Sequence, residues 1–265
     1  MARDYVMERM QSIGLKPYVP NYTQHFEVES PDGFTLAAVN VLGMVEGFEA
    51  GPVMVISAHY DHLGVLGGKI YNGADDNASG VGAMLAMAQY FAKHQPNHTI
   101  IFAAFDAEEV GLRGSQHFVE SLVAQADSIT FNINLDMVSR SDTRNLFACG
   151  TYHTPYVKPW LQPLTDSAKW RMQLRFGHDR PRSHREDWTY SSDHGNFHKA
   201  GIPFIYFGVE DHLDYHEPTD IYWSINEDFY LSAVELMLEA AITLDEGLGD
   251  VAALQQVDTP SREED

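Results

Sequence analysis

Apolar runs and helical periodicity divide this chain into predicted strands and helices. Four continuous apolar runs have the length and composition of strands that are buried on both faces of a sheet. They are VMVISA at 53–58, TIIFAAF at 99–105, ITFNINL at 129–135 and IPFIYFG at 202–208. Between the first two runs, apolar residues recur at helical spacing, at Val81, Met84, Leu85, Ala88 and Phe91. The order strand, helix, strand predicts parallel βαβ units.

Segments near the two ends of the chain complete the pattern. HFEVES at 25–30 and FTLAAVNVLGMV at 34–45, separated by PDG, predict two strands joined by a turn at an antiparallel edge. Ser224 and Glu227 form a capping-box pattern, and an apolar helical face follows them. The predicted fold class is therefore α/β, with a mixed, mainly parallel central sheet sandwiched by helices.

Neither repeats nor a low-complexity linker divides the chain, which favours a single domain. A chain of 265 residues with 44% hydrophobic content is long enough to bury a sizeable core. We predict one domain over residues 1–253, followed by a disordered acidic tail over residues 254–265.

Each of the four apolar runs ends in polar residues. These are His59, Asp61 and His62 after the first run, Asp106, Glu108 and Glu109 after the second, Asp136 after the third, and the loop 209–220 after the fourth. Ligands of open α/β sheets bind beyond the carboxyl ends of the strands, so we expect these residues to converge on one site. The turn YNGADDNASG adds Asp75 and Asp76, two like charges that repel each other unless a cation lies between them.

Composition narrows the chemistry of this predicted site. Lysine and arginine number 17 against 38 acidic residues, and the net charge of −21 argues against nucleic acid or an anionic membrane as a partner. The single cysteine, Cys149, excludes a cysteine-rich zinc cluster. Histidine and carboxylate ligands suit zinc, with cobalt or manganese as substitutes. No apolar run approaches the roughly 20 residues of a membrane span, so we expect no membrane insertion.

Six motifs together carry a family resemblance. They are SAHYDHLG, GADDNASG, DAEEVGLRGS, NLDMV, SSDHGNF and YHEPTD. In this order and spacing they resemble the two-zinc aminopeptidases of the bacterial leucyl aminopeptidase family, which is related to glutamate carboxypeptidases and glutaminyl cyclases. The resemblance implies a zinc exopeptidase fold, a single catalytic domain, two Zn²⁺ ions and peptide substrates with a free N-terminus. It also implies a periplasmic or secreted location if a signal sequence has been removed.

The resemblance further implies which residues bind metal. His59 and Asp136 would bind one zinc, Glu109 and His216 would bind the other, and Asp75 would bridge both. Three carboxylates would offset most of the charge of two divalent ions, while two neutral imidazoles would leave the metals Lewis-acidic. A cis peptide bond is expected directly after Asp75.

Catalytic roles also follow from the resemblance. Glu108 would be the general base, with a metal-bridging hydroxide as the nucleophile, and would pass its proton to the leaving amine. Asp61 would accept the other imidazole N–H of His59 and orient the ring. Tyr190 is a candidate donor to the oxyanion. Met137 would either line the pocket for the first side chain of the substrate or pack in the core.

Several alternatives stay open at this point. A carboxypeptidase would need a cationic residue to receive the substrate carboxylate, and the candidates are Arg140, Arg144, Arg180, Arg182 and Arg185. A glutaminyl cyclase would use one zinc, with Glu108 as a proton shuttle. A non-catalytic metal-binding ectodomain would leave Glu108 without a role. His62 and the remaining histidines are expected to be structural or exposed, and Asp193 and His194 to hydrogen-bond their own loop.

Overall fold

The four apolar runs form neighbouring strands at the centre of one sheet in the computed structural model of the protein. The structure describes residues 1–29, 33, 35–125, 129–166, 169–181 and 186–258. The strands are β1 Lys16–Pro17, β2 Thr23–Glu29, β3 Thr35–Val45, β4 Val53–His59, β5 Val65–Leu66, β6 Lys69–Ile70, β7 Thr99–Phe105, β8 Ile129–Leu135, β9 Asn145–Cys149, β10 Gln173–Phe176 and β11 Phe204–Gly208.

The main sheet is mixed, as predicted. Its strand order is β1-β3-β7-β4-β8-β11-β9-β10, and β2 also pairs with β3. The central strands β7, β4, β8 and β11 run parallel to one another. Antiparallel pairings of β2 with β3, β3 with β7 and β11 with β9 flank them. The carboxyl ends of the four central strands therefore lie at the same edge of the sheet.

Helices cover both faces of this sheet, which confirms the predicted sandwich. They are α1 Ala2–Ile13, α2 Gly80–Phe91, α3 Arg113–Gln125, α4 Lys158–Leu161, α5 His194–Lys199, α6 Glu227–Glu246 and α7 Leu248–Asp258. Side chains of α1, α2, α4, α6 and α7 share the larger core cluster with one face of the sheet. Side chains of α3 and α5 share a smaller cluster with the other face. Within the described residues, no helix combines the length and apolar character needed to cross a bilayer.

Three phenylalanine rings fix the smaller layer of helices to the sheet. Phe105 ends β7, Phe118 lies on α3 and Phe197 lies on α5, and all three are fully buried. The ring centroid of Phe118 lies 5.4 Å from that of Phe105 and 6.0 Å from that of Phe197. Each buried ring contributes about 1.5 to 3 kcal/mol to the free energy of folding. Because the loop that carries Glu108 connects β7 to α3, this packing holds both ends of that loop.

Two sequence predictions need correction at the C-terminal end. Helix α6 begins at Glu227 with Asn226 at the N-cap, and the Ser224 hydroxyl instead donates to the Ile221 carbonyl within the preceding turn. The acidic tail predicted to begin at residue 254 overlaps α7, which continues to Asp258. Residues 259–265 lie outside the described residues, as does most of the predicted PDG turn.

One buried carboxylate ties α6 to the start of β7 and supports a stability prediction. Asp245 accepts hydrogen bonds from the backbone N–H groups of Asn97 at 2.7 Å and His98 at 2.8 Å. Asp245→Ala leaves both donors unpaired, so we expect it to lower the free energy of unfolding by about 3 kcal/mol. Urea denaturation measures the change, with Glu235→Ala on the exposed side of α6 as the control. A loss no larger than that of the control would contradict this account.

Candidate metal centre

A cavity of about 320 Å³ lies beyond the carboxyl ends of the central strands. Its lining includes His59, Asp76, Glu108, Glu109, Asp136 and His216. Parallel pairing places His59 of β4 opposite Phe105 of β7. The loop after β7, which carries Glu108 and Glu109, therefore starts beside His59. The structure thus brings the polar ends of all four apolar runs together, as the sequence predicted.

His59 stands at the centre of the first group of candidate ligands. Its Nε2 lies 3.3 Å from Asp76 Oδ1 and 3.3 Å from Asp136 Oδ1. The imidazole is almost completely buried. Burial opposes the charged imidazolium, but the adjacent carboxylates, Asp136 foremost, outweigh it and raise the pKa of His59 well above its ordinary value. These three residues converge on a point that favours a positive charge.

The second group shares Asp76 with the first. Asp76 Oδ2 lies 3.1 Å from His216 Nε2, while Glu109 Oε2 lies 3.5 Å from the same nitrogen. Burial works against ionisation of Asp76, but His216 and His59 reverse that effect and lower the pKa of its carboxyl. One oxygen of Asp76 faces each group, which is the arrangement of a bridging carboxylate.

The geometry of both groups fits zinc. With zinc to ligand distances near 2.0 to 2.2 Å, two ligands of a tetrahedral ion lie about 3.3 Å apart. The four distances between these nitrogen and oxygen atoms fall between 3.1 and 3.5 Å. No lysine or arginine is among the described residues that line the cavity, so the clustered carboxylates have only histidines as cationic neighbours. The residues present therefore fit divalent cations such as zinc.

Asp75 does not occupy the position predicted for it. Its Oδ1 accepts hydrogen bonds from the backbone N–H and the hydroxyl of Ser139 at 2.7 and 2.8 Å, and its Oδ2 lies 3.0 Å from His212 Nε2. The carboxylate is fully buried behind the cavity. Asp76, rather than Asp75, has an oxygen facing each ligand group, because adjacent residues of this turn direct their side chains to different places. The cis peptide bond likewise joins Asp76 to Asn77 and does not follow Asp75.

Asp220, 145 positions after Asp75 in the sequence, fixes the backbone of this turn. Its carboxylate accepts hydrogen bonds from the backbone N–H groups of Asp75 and Asp76 at 3.0 to 3.1 Å. Gly73 makes the turn sterically feasible, since it has φ of +64° and a Cβ there would lie 2.2 Å from the Asp76 carbonyl oxygen. The last motif of the sequence, YHEPTD, thus supplies both His216 and Asp220. Asp220 holds the turn that carries Asp75 and Asp76, which we call the aspartate turn.

Asp61 supports the site in a different way from the predicted one. Its carboxylate oxygens accept hydrogen bonds from the backbone N–H groups of Glu108 at 3.1 Å and Glu109 at 3.2 Å. The ring of His59 is oriented chiefly by the backbone carbonyl of Asp61, which lies 3.2 Å from its Nδ1, while the carboxylate is 3.6 Å away. Asp61 therefore positions the glutamate pair as well as the histidine.

Comparison with known proteins identifies the family. Residues 40–241 match the family described as Peptidase family M28. The chain belongs to peptidase family M28. Aminopeptidase YwaD of Bacillus subtilis is 32% identical over 196 residues, which are 71% of this chain and 40% of YwaD. The chain spans less than half the length of the curated relatives that it matches. Membership in M28 confirms the resemblance drawn from the six motifs.

Solved structures show the same fold for this M28 chain. BSAP, a zinc aminopeptidase from Bacillus subtilis, has a TM-score of 0.63 at 28% identity over 77% of this chain and 49% of that chain. A glutaminyl cyclase from Bacteroides thetaiotaomicron has a TM-score of 0.72 at 20% identity over 91% of this chain and 88% of that chain. The second likeness concerns the fold alone. The predicted zinc exopeptidase fold is confirmed.

Other predicted residues of the M28 chain lie in and around the cavity. Met137 lines it and is also a buried member of the larger core cluster, so both of its predicted positions apply. Tyr190 is not among the residues that line the cavity, and it is half exposed beside His198, so the structure does not support its proposed role at the oxyanion. Asp193 and His194 are both fully buried, and the His194 ring bonds to the Trp188 carbonyl at 2.8 Å.

Sequence reasoning assigned no ligand or catalytic role to four residues at this site. They are Asp76, His62, Glu186 and Asp211. Asp76 and His62 were visible as the second acid of an adjacent pair and as a histidine three positions after His59, but nothing local indicated which way they point. Glu186 and Asp211 lie in loops without periodicity, and only the folded chain places them on one cavity.

Burial dominates the protonation of Glu108 in the absence of metal. It raises the pKa of this carboxyl from 4.5 to about 9, against the opposing effect of His59 and with the help of Asp136 and Asp193. Between these two pH values the carboxyl ionises in the unfolded chain but stays protonated in the folded one. The metal-free protein therefore loses stability as the pH rises through this window.

Glu108→Gln removes this penalty and is expected to raise the thermal midpoint of metal-free protein. The gain should be larger at pH 8 than at pH 5, since the penalty accumulates as the pH rises from 4.5 towards about 9 and is still small at pH 5. Differential scanning calorimetry in the presence of a chelator measures it. Glu217→Gln at an exposed carboxyl is the matched control. A gain independent of pH would refute the assigned cause.

Proposed function

We propose that this chain is a zinc-dependent exopeptidase that hydrolyses the N-terminal peptide bond of peptides. Membership in peptidase family M28 supports peptide hydrolysis. Aminopeptidase YwaD, and BSAP as a zinc aminopeptidase, support the choice of metal and of substrate end. The residues around the cavity carry the more detailed assignments below.

Two zinc ions are proposed, each held by residues from different strand ends. His59, Asp76 and Asp136 would hold one ion, and Asp76, Glu109 and His216 would hold the other. Bound there, the two ions would polarise the scissile carbonyl and make water acidic enough to react near neutral pH. Asp76 replaces Asp75 in the bridging role expected from the sequence.

Glu108 and Glu109 have different proposed roles. The Glu109 carboxylate faces His216, whereas Glu108 lines the cavity and takes no part in either ligand group. Glu108 accepts a proton from the attacking water and delivers it to the amine that leaves. Both backbone N–H groups are held by Asp61, so each side chain keeps a fixed direction. Two cations nearby would favour the ionised form of Glu108 that a base requires.

The proposal that the N-terminal end of the peptide binds here rests on the acidic lining of the cavity. Glu186 and Asp211 add two exposed carboxylates to the wall, and neither belongs to the proposed ligand groups. Burial first and the repulsion from Glu186 next raise the pKa of Asp211, against the opposing effect of His212 and His216. A substrate α-ammonium group would relieve that repulsion. Met137, Trp188 and Val209 supply apolar surface for the first side chain of the peptide.

Three of the five arginines that a carboxypeptidase could use lie in the described part of the chain, and all three are engaged elsewhere. Arg140 forms an ion pair with Asp214, and Arg144 Nε donates to the backbone carbonyl of Arg171. Arg180 lies over the ring of Tyr152. Arg182 and Arg185 fall outside the described residues. The alternative of a glutaminyl cyclase keeps the support of a similar fold and differs in requiring a single zinc.

The two aspartates of the turn provide a direct test of the metal assignment. Asp76→Ala is expected to lower the zinc content from two equivalents to one or fewer, because both ligand groups lose a member. Asp75→Asn is the matched control, since its remaining oxygen can still accept from Ser139, and it should keep both ions. Elemental analysis after dialysis gives the stoichiometry. Retention of both ions by Asp76→Ala, with loss from Asp75→Asn, would reverse the assignment.

Peptides with blocked and with free N-termini test which end of the substrate the enzyme recognises. With zinc present, leucyl anilide and free-amine dipeptides with an apolar first residue should be hydrolysed. N-acetylation of the same compounds should lower kcat/KM at least about 100-fold, because a charged partner of the acidic wall is lost. Release of the aniline and of free amino acids measures both reactions, and chelator-treated protein supplies the background rate.

Each alternative has its own product. Release of C-terminal residues from N-blocked peptides would replace the proposal with a carboxypeptidase. Formation of pyroglutamyl peptides from N-terminal glutamine, without hydrolysis and with one zinc per chain, would replace it with a cyclase.

A further inference from the structure

His62 contacts a proposed zinc ligand although the motif resemblance assigns it no role. Its Nδ1 lies 2.8 Å from Oε1 of Glu109. The other oxygen of the same carboxylate, Oε2, is the one that lies 3.5 Å from His216 Nε2. Glu109 therefore turns one oxygen to the proposed metal position and the other to His62.

Distances distinguish a hydrogen-bond donor from a further metal ligand. The 2.8 Å separation matches an N–H···O hydrogen bond, whereas two ligands of one tetrahedral zinc lie about 3.3 Å apart. His62 Nδ1 is also 3.7 Å from Asp76 Oδ2, farther than the four nitrogen–oxygen distances of the two ligand groups, although ligand atoms of His62, Asp76 and Glu109 all lie within 4.8 Å of one another. Its Nε2 is buried and has no hydrogen-bond partner among the described residues, which leaves Nδ1 as the nitrogen that donates.

We propose that His62 is a positioning residue of the second zinc site. Its Nδ1–H donates to Glu109 Oε1, so that Glu109 presents Oε2 as a single-oxygen ligand on the side of His216. This inference rests on the proposed function, since it concerns how the second ion is held. Hydrogen bonds to ligating carboxylates typically change metal affinity 10- to 100-fold.

The His62 ring packs against Gly73 of the aspartate turn. A Cβ at Gly73 would lie 2.8 Å from Cγ and 2.9 Å from Cδ2 of His62. Glycine at this position therefore lets the ring pack directly on the turn that carries Asp76. The side chain of His62 is only 11% exposed, so the turn and the Glu109 hydrogen bond together restrict its orientation.

Substitutions at His62 separate the donor from the ring. His62→Leu and His62→Ala remove the donor, and His62→Asn retains an amide N–H near the place of Nδ1. We expect the first two to weaken one of the two zinc ions 10- to 100-fold, with the other unchanged, and His62→Asn to stay within about threefold of wild type. His25→Leu, at an exposed histidine of β2, is the control.

Zinc affinity is measured by competition with a chromophoric chelator on metal-free protein, and the visible spectrum of bound Co²⁺ reports the coordination of the weakened site. Unchanged affinity for both ions in His62→Leu and His62→Ala would overturn the inference while leaving the two-zinc proposal standing. Equal losses in His62→Asn and His62→Leu would also overturn it, because a retained donor would then have no effect. Wild-type protein that binds fewer than two zinc ions would instead refute the proposed function itself. Thermal midpoints of the metal-free variants identify any that fail to fold, and His62→Ala replaces His62→Leu in that case.

Discussion

Asp76, Asp136, Glu108 and Glu109 surround one cavity, and the repulsion among their carboxylates is the constraint on which the rest of the site depends. No described lysine or arginine of the cavity lining offsets these charges. Buried like charges of this kind are stable only when protonated or paired with cations. The raised pKa of Glu108 reflects the first response, protonation. The lowered pKa of Asp76 reflects the second, pairing with a cationic neighbour. A pair of divalent ions would satisfy the whole cluster at once.

A second set of acids holds the first set in place. Asp61 accepts from the backbone of the glutamate pair, Asp220 accepts from the backbone of the aspartate turn, and Asp75 accepts from Ser139. Each of these carboxylates binds backbone N–H groups of a loop that carries a proposed ligand or base. Much of the acidity within the motifs therefore serves to fix loop geometry, and only part of it faces the metal position. Such fixed geometry is what a preorganised site needs.

The parallel strands explain why a site of this kind forms at this edge. Residues that are 47 to 137 positions apart in sequence meet there, as the contacts of Asp61 with Glu108 and of His212 with Asp75 show. Rigid strand ends supply His59 and Asp136, and loops supply Asp76, Glu109 and His216. If His62 positions Glu109, the turn after β4 links these loops by contacting both the glutamate pair and the aspartate turn.

The sequence by itself determined the central strands, helices α2 and α6 and the set of residue types at the site. Apolar runs and periodicity report burial, which is a local property of each segment, and the six ordered motifs carried the family. Only the tertiary structure decided between Asp75 and Asp76, and only it showed that the Asp61 carboxylate anchors the backbone of the glutamate pair. Those choices depend on the direction of single side chains. Direction here is set by partners far away in sequence, such as Ser139 and Asp220, which no local pattern contains.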